Sequence, residues 1–268
     1  MKSLGSPQLG VFSRSTPENK RLVTRSTRNV FHFSGGRSSA MMVVQNYKPG
    51  DLVIFCDTPR EDPKTYKFLV DFEAFEGIPV IKIMMPGGWK GMLKKMKGIP
   101  NRFKRKCTLE LKIKTARRYL RSVGIKTYIQ FIGFRADEQE RITDYKKQWK
   151  TVETFFPLNE AGIIKTDVNK FWQLKPYQLE LPQILSNCDL CFLKGESNII
   201  AILTNDISKA DKWIDDEEDM VLNPHGYTYS DKHTMRELKA IAQDLINKGK
   251  VFNLEEMEPA FNCACTAI

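Results

Sequence analysis

Asn29-Val-Phe-His-Phe33, Ser34-Gly-Gly-Arg-Ser-Ser39 and Ala40-Met-Met-Val-Val-Gln-Asn46 follow one another without a break. The first piece is a short, β-rich apolar run and the last opens a helix. The middle piece is a six-residue loop of small and hydroxylated residues. Gly35 and Gly36 let the backbone adopt positive φ and come close to a ligand. The exposed N–H groups of such a loop, together with the dipole of the helix behind it, hold anions. Ser34, Ser38 and Ser39 add hydroxyl donors. Read alone, a Gly-Gly-Ser turn is more often just a turn.

Three more runs of the same kind follow: Leu52–Cys56, Val80–Met84 and Thr127–Ile132. Each ends in turn residues, at Asp57-Thr58-Pro59, Pro86-Gly87-Gly88 and Gly133. Helical spacing fills the intervals. Ser38–Asn46 opens a helix. Pro63–Phe75 places Tyr66, Leu69, Val70 and Ala74 on one stripe, and Leu109–Val123 does the same with Leu109, Ile113, Ala116, Leu120 and Val123. Strands alternating with helices predict an α/β fold, a parallel sheet with helices on both faces. Its ligand belongs beyond the carboxyl ends of the strands, at the loops 34–39, 57–61 and 133–141. Beyond Glu196 the pattern is helical over Ser197–Trp213 and Met235–Lys248, with an acidic run at Asp215–Asp219.

The 268 residues, 41% of them hydrophobic, suffice for a real core. Residues 1–28 read as a flexible basic leader with no apolar stretch of a secretory signal. Residues 29–196 read as one strand-and-helix domain that carries the 34–39 loop together with Cys107, Cys188 and Cys191, and 197–268 as a helical extension with a cysteine-bearing tail. There is no apolar stretch of about 18 residues, so no transmembrane helix is expected, and the expected compartment is the cytoplasm. The net charge is +10. Much of it lies in Lys90–Lys106 and in Lys112–Lys126, which fits nucleotide phosphates, sulfate or nucleic acid, or a solvated basic face. Six cysteines in a reducing compartment disfavour disulfides, and Cys188-Asp-Leu-Cys191 reads first as a metal, cluster or redox site.

The loop at 34–39 resembles the PP-loop, SGGxDS, of the ATP pyrophosphatase and phosphoadenylylsulfate (PAPS) reductase superfamily. Other segments agree in order. Cys56-Asp57-Thr58 with Pro63-Lys64-Thr65-Tyr66 resembles the reductases' DTG…PETY segment. Gly133-Phe134-Arg135 with Glu138 and Arg141 resembles their GxR…R segment, which contacts the sulfonucleotide. Pro157-Leu158-Asn159-Glu160, Asp167-Val168 and Phe171-Trp172 resemble a further segment, and the similarity spans residues 29–195. It implies an adenine nucleotide (PAPS, adenylylsulfate or ATP) held by Ser34, Gly35, Gly36, Arg37, Ser38, Ser39, Asp57, Thr58, Arg135 and Arg141. Read from the residues alone, Asp57 is a turn residue, Arg135 and Arg141 are partners of Asp137, Glu138 or Glu140, and Phe171 and Trp172 are core. Ser38 stands where the ATP pyrophosphatases carry Asp, which counts against ATP cleavage but not against nucleotide binding.

Cluster-bearing relatives, the adenylylsulfate reductases, carry a Cys-Cys pair, a long gap and then CxxC. Here the pair is reduced to Lys106-Cys107. The resemblance implies Cys107, Cys188 and Cys191 as ligands of a [4Fe–4S] cluster, with zinc or plain thiols as alternatives. The reductases attack sulfur with a C-terminal cysteine, a role that falls here to Cys263 or Cys265, although the Glu, Gly and His of the family's tail segment are missing. The implied activity is reduction of PAPS or adenylylsulfate to sulfite with a thiol reductant such as thioredoxin. Two alternatives stand beside it: iron–sulfur-assisted, ATP-dependent thiolation of tRNA or DNA, and a non-catalytic accessory protein that binds nucleotide or nucleic acid.

Overall fold

The computed structural model describes residues 27–148, 152–185 and 188–257. Five strands form one parallel sheet: β1 Arg28–His32, β2 Leu52–Asp57, β3 Ile81–Met84, β4 Tyr128–Ile132 and β5 Glu153–Phe155. Their order is β3-β2-β1-β4-β5. The chain moves outward from β1 through β2 to β3, then returns to the other side of β1 with β4. The order therefore reverses between β1 and β4, where loops diverge and a crevice opens at the carboxyl edge.

The helices lie on both faces, as a parallel sheet requires. They are α1 Arg37–Asn46, α2 Pro63–Glu76, α3 Gly88–Met96, α4 Lys114–Ser122, α5 Gln139–Gln148, α6 Pro157–Glu160 and α7 Lys165–Gln173, followed by α8 Glu196–Asn205, α9 Asp211–Glu218 and α10 Met235–Asn247. Strand β1 shows the two-faced burial directly. Phe31 and, just beyond the strand, Phe33 enter the large core with α1, α2 and α8. Val30 points the other way, into a smaller cluster with Ile54, Cys56, Ile113, Ala116 and Leu120.

The expected strands fall within two residues of the observed ones. The expected helix over Leu109–Val123 opens as a π-helical segment, Thr108–Ile113, before continuing as α4. The stretch Ser197–Trp213 is not one helix. It breaks at Asp206, whose carboxylate accepts from the Ser208 N–H and starts a short 3-10 turn. The acidic run 215–219 is two-faced, with Asp215 and Glu218 exposed. Asp216 and Glu217 are buried, and Glu217 accepts from the backbone N–H groups of Tyr229 and Met235 at 2.8 and 2.6 Å. The core of the sheet domain continues into α8 and α10 through Ile199, Ile202, Leu203, Leu238 and Ala242. No helix among the described residues is long and apolar enough to cross a membrane.

Candidate functional site

The loop Ser34–Ser39 leaves β1 at the crevice. Gly35 sits at φ +81°, and a Cβ there would lie 2.6 Å from Thr65 Cγ2, so both its conformation and its surroundings require glycine. The loop is stitched internally. The Ser34 N–H donates to Ser39 Oγ at 3.1 Å, the Ser34 and Ser39 hydroxyls share a hydrogen bond of 2.9 Å, and Ser39 Oγ donates to the Gly36 carbonyl at 2.9 Å. From the other side, the Trp172 indole N–H donates to the Arg37 carbonyl at 3.0 Å.

What the stitching leaves open is the start of α1. No side chain caps it, and no acidic residue stands in its first turn. The first N–H groups of a helix have no intrahelical acceptor, so the donors of residues 37–39 face the crevice with the positive end of the dipole. The Arg37 guanidinium is turned away, donating to the Leu179 carbonyl at 2.7 Å. Burial pushes its pKa down while Glu255 pulls the other way. It borders a cavity of about 160 Å³ lined by Arg37, Glu180, Leu181, Gln183, Glu255 and Met257. That is too small for a whole nucleotide.

The loop after β4 forms the opposite wall. Gly133 packs against the start of α1 so tightly that a Cβ would lie 2.8 Å from Ser39 Cα. Its role was missed in the sequence, although a glycine closing a β-run was the visible signal. Two residues on, Arg135 spans the crevice, and its Nη1 donates to Ser38 Oγ at 3.0 Å. Its Nε donates to Asp137 at 2.9 Å. Glu138 accepts from the Arg135 backbone N–H at 2.9 Å and pairs with Arg141. The Arg141 guanidinium also lies 4.2 Å from the centre of the Phe134 ring. The acidic partners thus hold two guanidinium groups, each 14% exposed, beside the phosphate-type loop. Pairing with acids and service to an anion are compatible here.

At the end of β2, Asp57 accepts from the Tyr66 hydroxyl at 2.7 Å. Thr58 Oγ1 donates to Glu61 at 2.9 Å and lies 3.7 Å from Cys188 Sγ. A bridge between Glu61 and Cys188 and the Asp189 N–H donating to the Arg60 carbonyl at 3.0 Å lay the Cys188–Cys191 segment along this loop. Arg60, buried between the rings of Trp89 and Trp213 at 5.1 and 5.0 Å, pairs with the buried Asp216 of α9. Asp189 accepts from the Trp213 indole at 3.0 Å and pairs with Lys212 at 2.6 Å. Sequence reading did not anticipate this tie, because Arg60 and Asp216 meet only through the tertiary fold.

Cys188 and Cys191 are buried in the main core, and Cys107, half-buried just before the π-helical segment, packs against it. Three thiols suit a thiophilic metal. Among the described residues, however, no three His, Cys, Asp or Glu side chains form a group that would hold a metal ion. Cys263 and Cys265 lie outside the described residues. Cys56 is inert by environment: its thiol donates to the Lys112 carbonyl at 3.6 Å, and burial pushes its pKa up to about 12.

An uncapped helix at the switch point of a parallel sheet, faced by arginines from the neighbouring loop, defines a PP-loop nucleotide-binding α/β protein. The chain belongs to the phosphoadenosine phosphosulfate reductase domain family, whose model matches residues 28–174. It is also similar to an uncharacterized nin region protein, ORF290, of Escherichia phage lambda. The two are 29% identical over 203 residues, covering 64% of this chain and 68% of that protein.

Proposed function

We propose that the chain binds an adenine sulfonucleotide, PAPS or adenylylsulfate, across Ser34–Ser39 and reduces it to sulfite. The observation that carries this reading is Arg135 reaching Ser38 Oγ at 3.0 Å beside an uncapped helix start. A cation and open N–H groups converge on one place, and an anion belongs there. Arg135 and Arg141 would hold the phosphate or sulfate, with Asp57 and Thr58 bordering the nucleotide on the β2 side.

In this reaction a thiolate of Cys263 or Cys265 attacks the sulfate sulfur. The S–O bond to the nucleotide breaks, and the nucleotide leaves with the electron pair. The cysteine then carries a thiosulfonate. A thiol reductant of the thioredoxin kind attacks the cysteine sulfur, and sulfite leaves with the electrons of the S–S bond. The resulting mixed disulfide is resolved by the reductant's second thiol.

The position of Cys188 favours a second reading. Its sulfur lies 3.7 Å from Thr58 Oγ1, on the rim where the nucleotide would bind. In that reading Cys107, Cys188 and Cys191 would have to close around a [4Fe–4S] cluster, a grouping they do not form among the described residues, and the cluster would supply the sulfur chemistry for ATP-dependent thiolation of a nucleic acid. Ser38 in place of the pyrophosphatase Asp counts against it.

Anaerobically purified protein offered PAPS, adenylylsulfate and ATP separately, with a thiol reductant, tests both. Sulfite from a sulfonucleotide supports the reductase. AMP and pyrophosphate from ATP alone supports thiolation. Nucleotide binding without turnover of any of the three overturns both and leaves an accessory protein. Equal loss of iron in Cys107→Ser and Cys188→Ser supports the cluster, and full iron in either removes it.

A further inference from the structure

The segment Lys90–Lys106 contains eight Lys and Arg and no Asp or Glu. It covers most of α3 and the loop that leads to Cys107. That loop presents Phe103 with 82% of its surface exposed. An aromatic ring held in water is unfavourable by the area it leaves uncovered, and this ring is not merely loose. The N–H groups of Phe103 and Lys104 both donate to Asn101 Oδ1, at 3.1 and 3.0 Å, forming a turn that fixes the tip. The base of the loop is fastened as well. Arg102 pairs with Asp231 at 3.1 Å, and Lys104 Nζ donates to the Tyr227 hydroxyl at 2.9 Å while lying 4.1 Å from the centre of its ring.

The charge around the ring is in excess. Lys95 and Lys114 already share the one carboxylate of Glu110, at 2.5 Å each. Lys94, Lys97 and Lys106 are exposed and make no ion pair among the described residues. The buried Nε of Arg105 has no hydrogen-bond partner among them. The loop also lies on the ligand side of the sheet. A crossover helix runs antiparallel to the strands it connects, so the segment entering α4 begins at the carboxyl edge. The Cys56–Lys112 contact at the end of β2 agrees with that placement.

We infer that this fixed basic loop is a binding surface for single-stranded nucleic acid, with Phe103 as a stacking platform and Lys94, Lys97 and Lys106 as phosphate contacts. Charge complementarity selects a polyanion. The exposed ring selects one with unpaired bases, because a duplex keeps its base faces stacked inside and a sulfated polysaccharide has none. The inference does not depend on the proposed sulfur chemistry, since neither Phe103 nor these lysines belong to the nucleotide site.

Fluorescence anisotropy of the full chain with a labelled oligothymidylate tests it, with the matching duplex, heparin and anionic phosphatidylserine vesicles as competitors. Phe103→Ala removes no buried packing, and an unchanged thermal melt confirms that it is folded. The expected result is a loss of about tenfold in affinity for the single strand with an unchanged salt slope. Lys94→Ala combined with Lys106→Ala lowers that slope by about two. Any of four results overturns the inference: no binding at about 50 mM salt, a Phe103→Ala affinity within twofold of the parent, duplex or heparin competing as well as single strand, or vesicles competing better.

Discussion

The Ser34–Ser39 loop and the Cys188–Cys191 segment lie on the same rim of the sheet and are built in opposite ways. The first is held by its own hydroxyls and by one indole N–H, and it leaves the donors at the start of α1 turned outward. The second is tied down by the rest of the molecule. Its backbone lies on the Arg60–Glu61 loop, and Asp189 is occupied by Trp213 and Lys212. A local frame that leaves donors open is suited to bind and release. A segment whose polar groups are spent on remote elements is suited to hold position. Changes in the first should therefore register in ligand affinity, and changes around the second in stability.

Asp216→Ala would break the comparison most severely. It leaves the Arg60 guanidinium buried without its carboxylate, at a cost of about 3–5 kcal/mol. Thermal unfolding should show the loss. Nucleotide affinity in the remaining folded fraction should stay within a factor of a few of the parent, and a parallel collapse of affinity would erase the distinction between the two regions.

His32 offers a way to sharpen it. The residue ends β1, two positions before the loop. Burial pushes its pKa from 6.5 down to about 4, with nearby Gln130 pulling the other way and Arg117 adding to the fall. Neither ring nitrogen has a hydrogen bond of regular geometry among the described residues. The unfolded chain takes up a proton near pH 6.5 and the folded chain resists until about pH 4. His32's contribution is therefore complete above about pH 6.5 and falls away as pH drops, by about 3 kcal/mol at pH 4. Denaturant melts of His32→Asn should show a flatter pH dependence over that window than the parent.

Gly35→Ala attacks the loop. It places a Cβ against Thr65 at a backbone angle that favours glycine, for a cost of about 1–3 kcal/mol. Calorimetric titration with adenine nucleotide should lose more than the thermal melt does. Arg135→Ala is the gentlest test. Asp137 is exposed and the buried Glu138 keeps its pairing with Arg141, so stability should fall by no more than about 1 kcal/mol, while affinity for a sulfonucleotide falls by about tenfold, the value of one charge-assisted hydrogen bond.

Most of the sheet was legible in the sequence, because each inner strand is a short apolar run closed by turn residues. The edge strand β5 was not, since three residues, Glu153–Phe155, give no period to read. The nucleotide loop was legible because its function resides in consecutive residues. Arg135 could be named, but its reach to Ser38 could not, since that contact crosses the switch point. The acidic run hid its meaning altogether. On composition Asp216 and Glu217 belong in solvent, and only the tertiary fold reveals that one neutralises Arg60 and the other caps backbone N–H groups.

The tie between Arg60 and Asp216 also bears on how such a chain can be inherited. The family match closes at residue 174, so one ion of the pair falls inside the shared module and its counter-ion outside. Recombination at that boundary would deliver a module carrying an orphaned charge in its interior. An exchange that moved only one of the two stretches would leave Arg60 or Asp216 without its counter-charge, unless the incoming stretch carried an equivalent group to the same place.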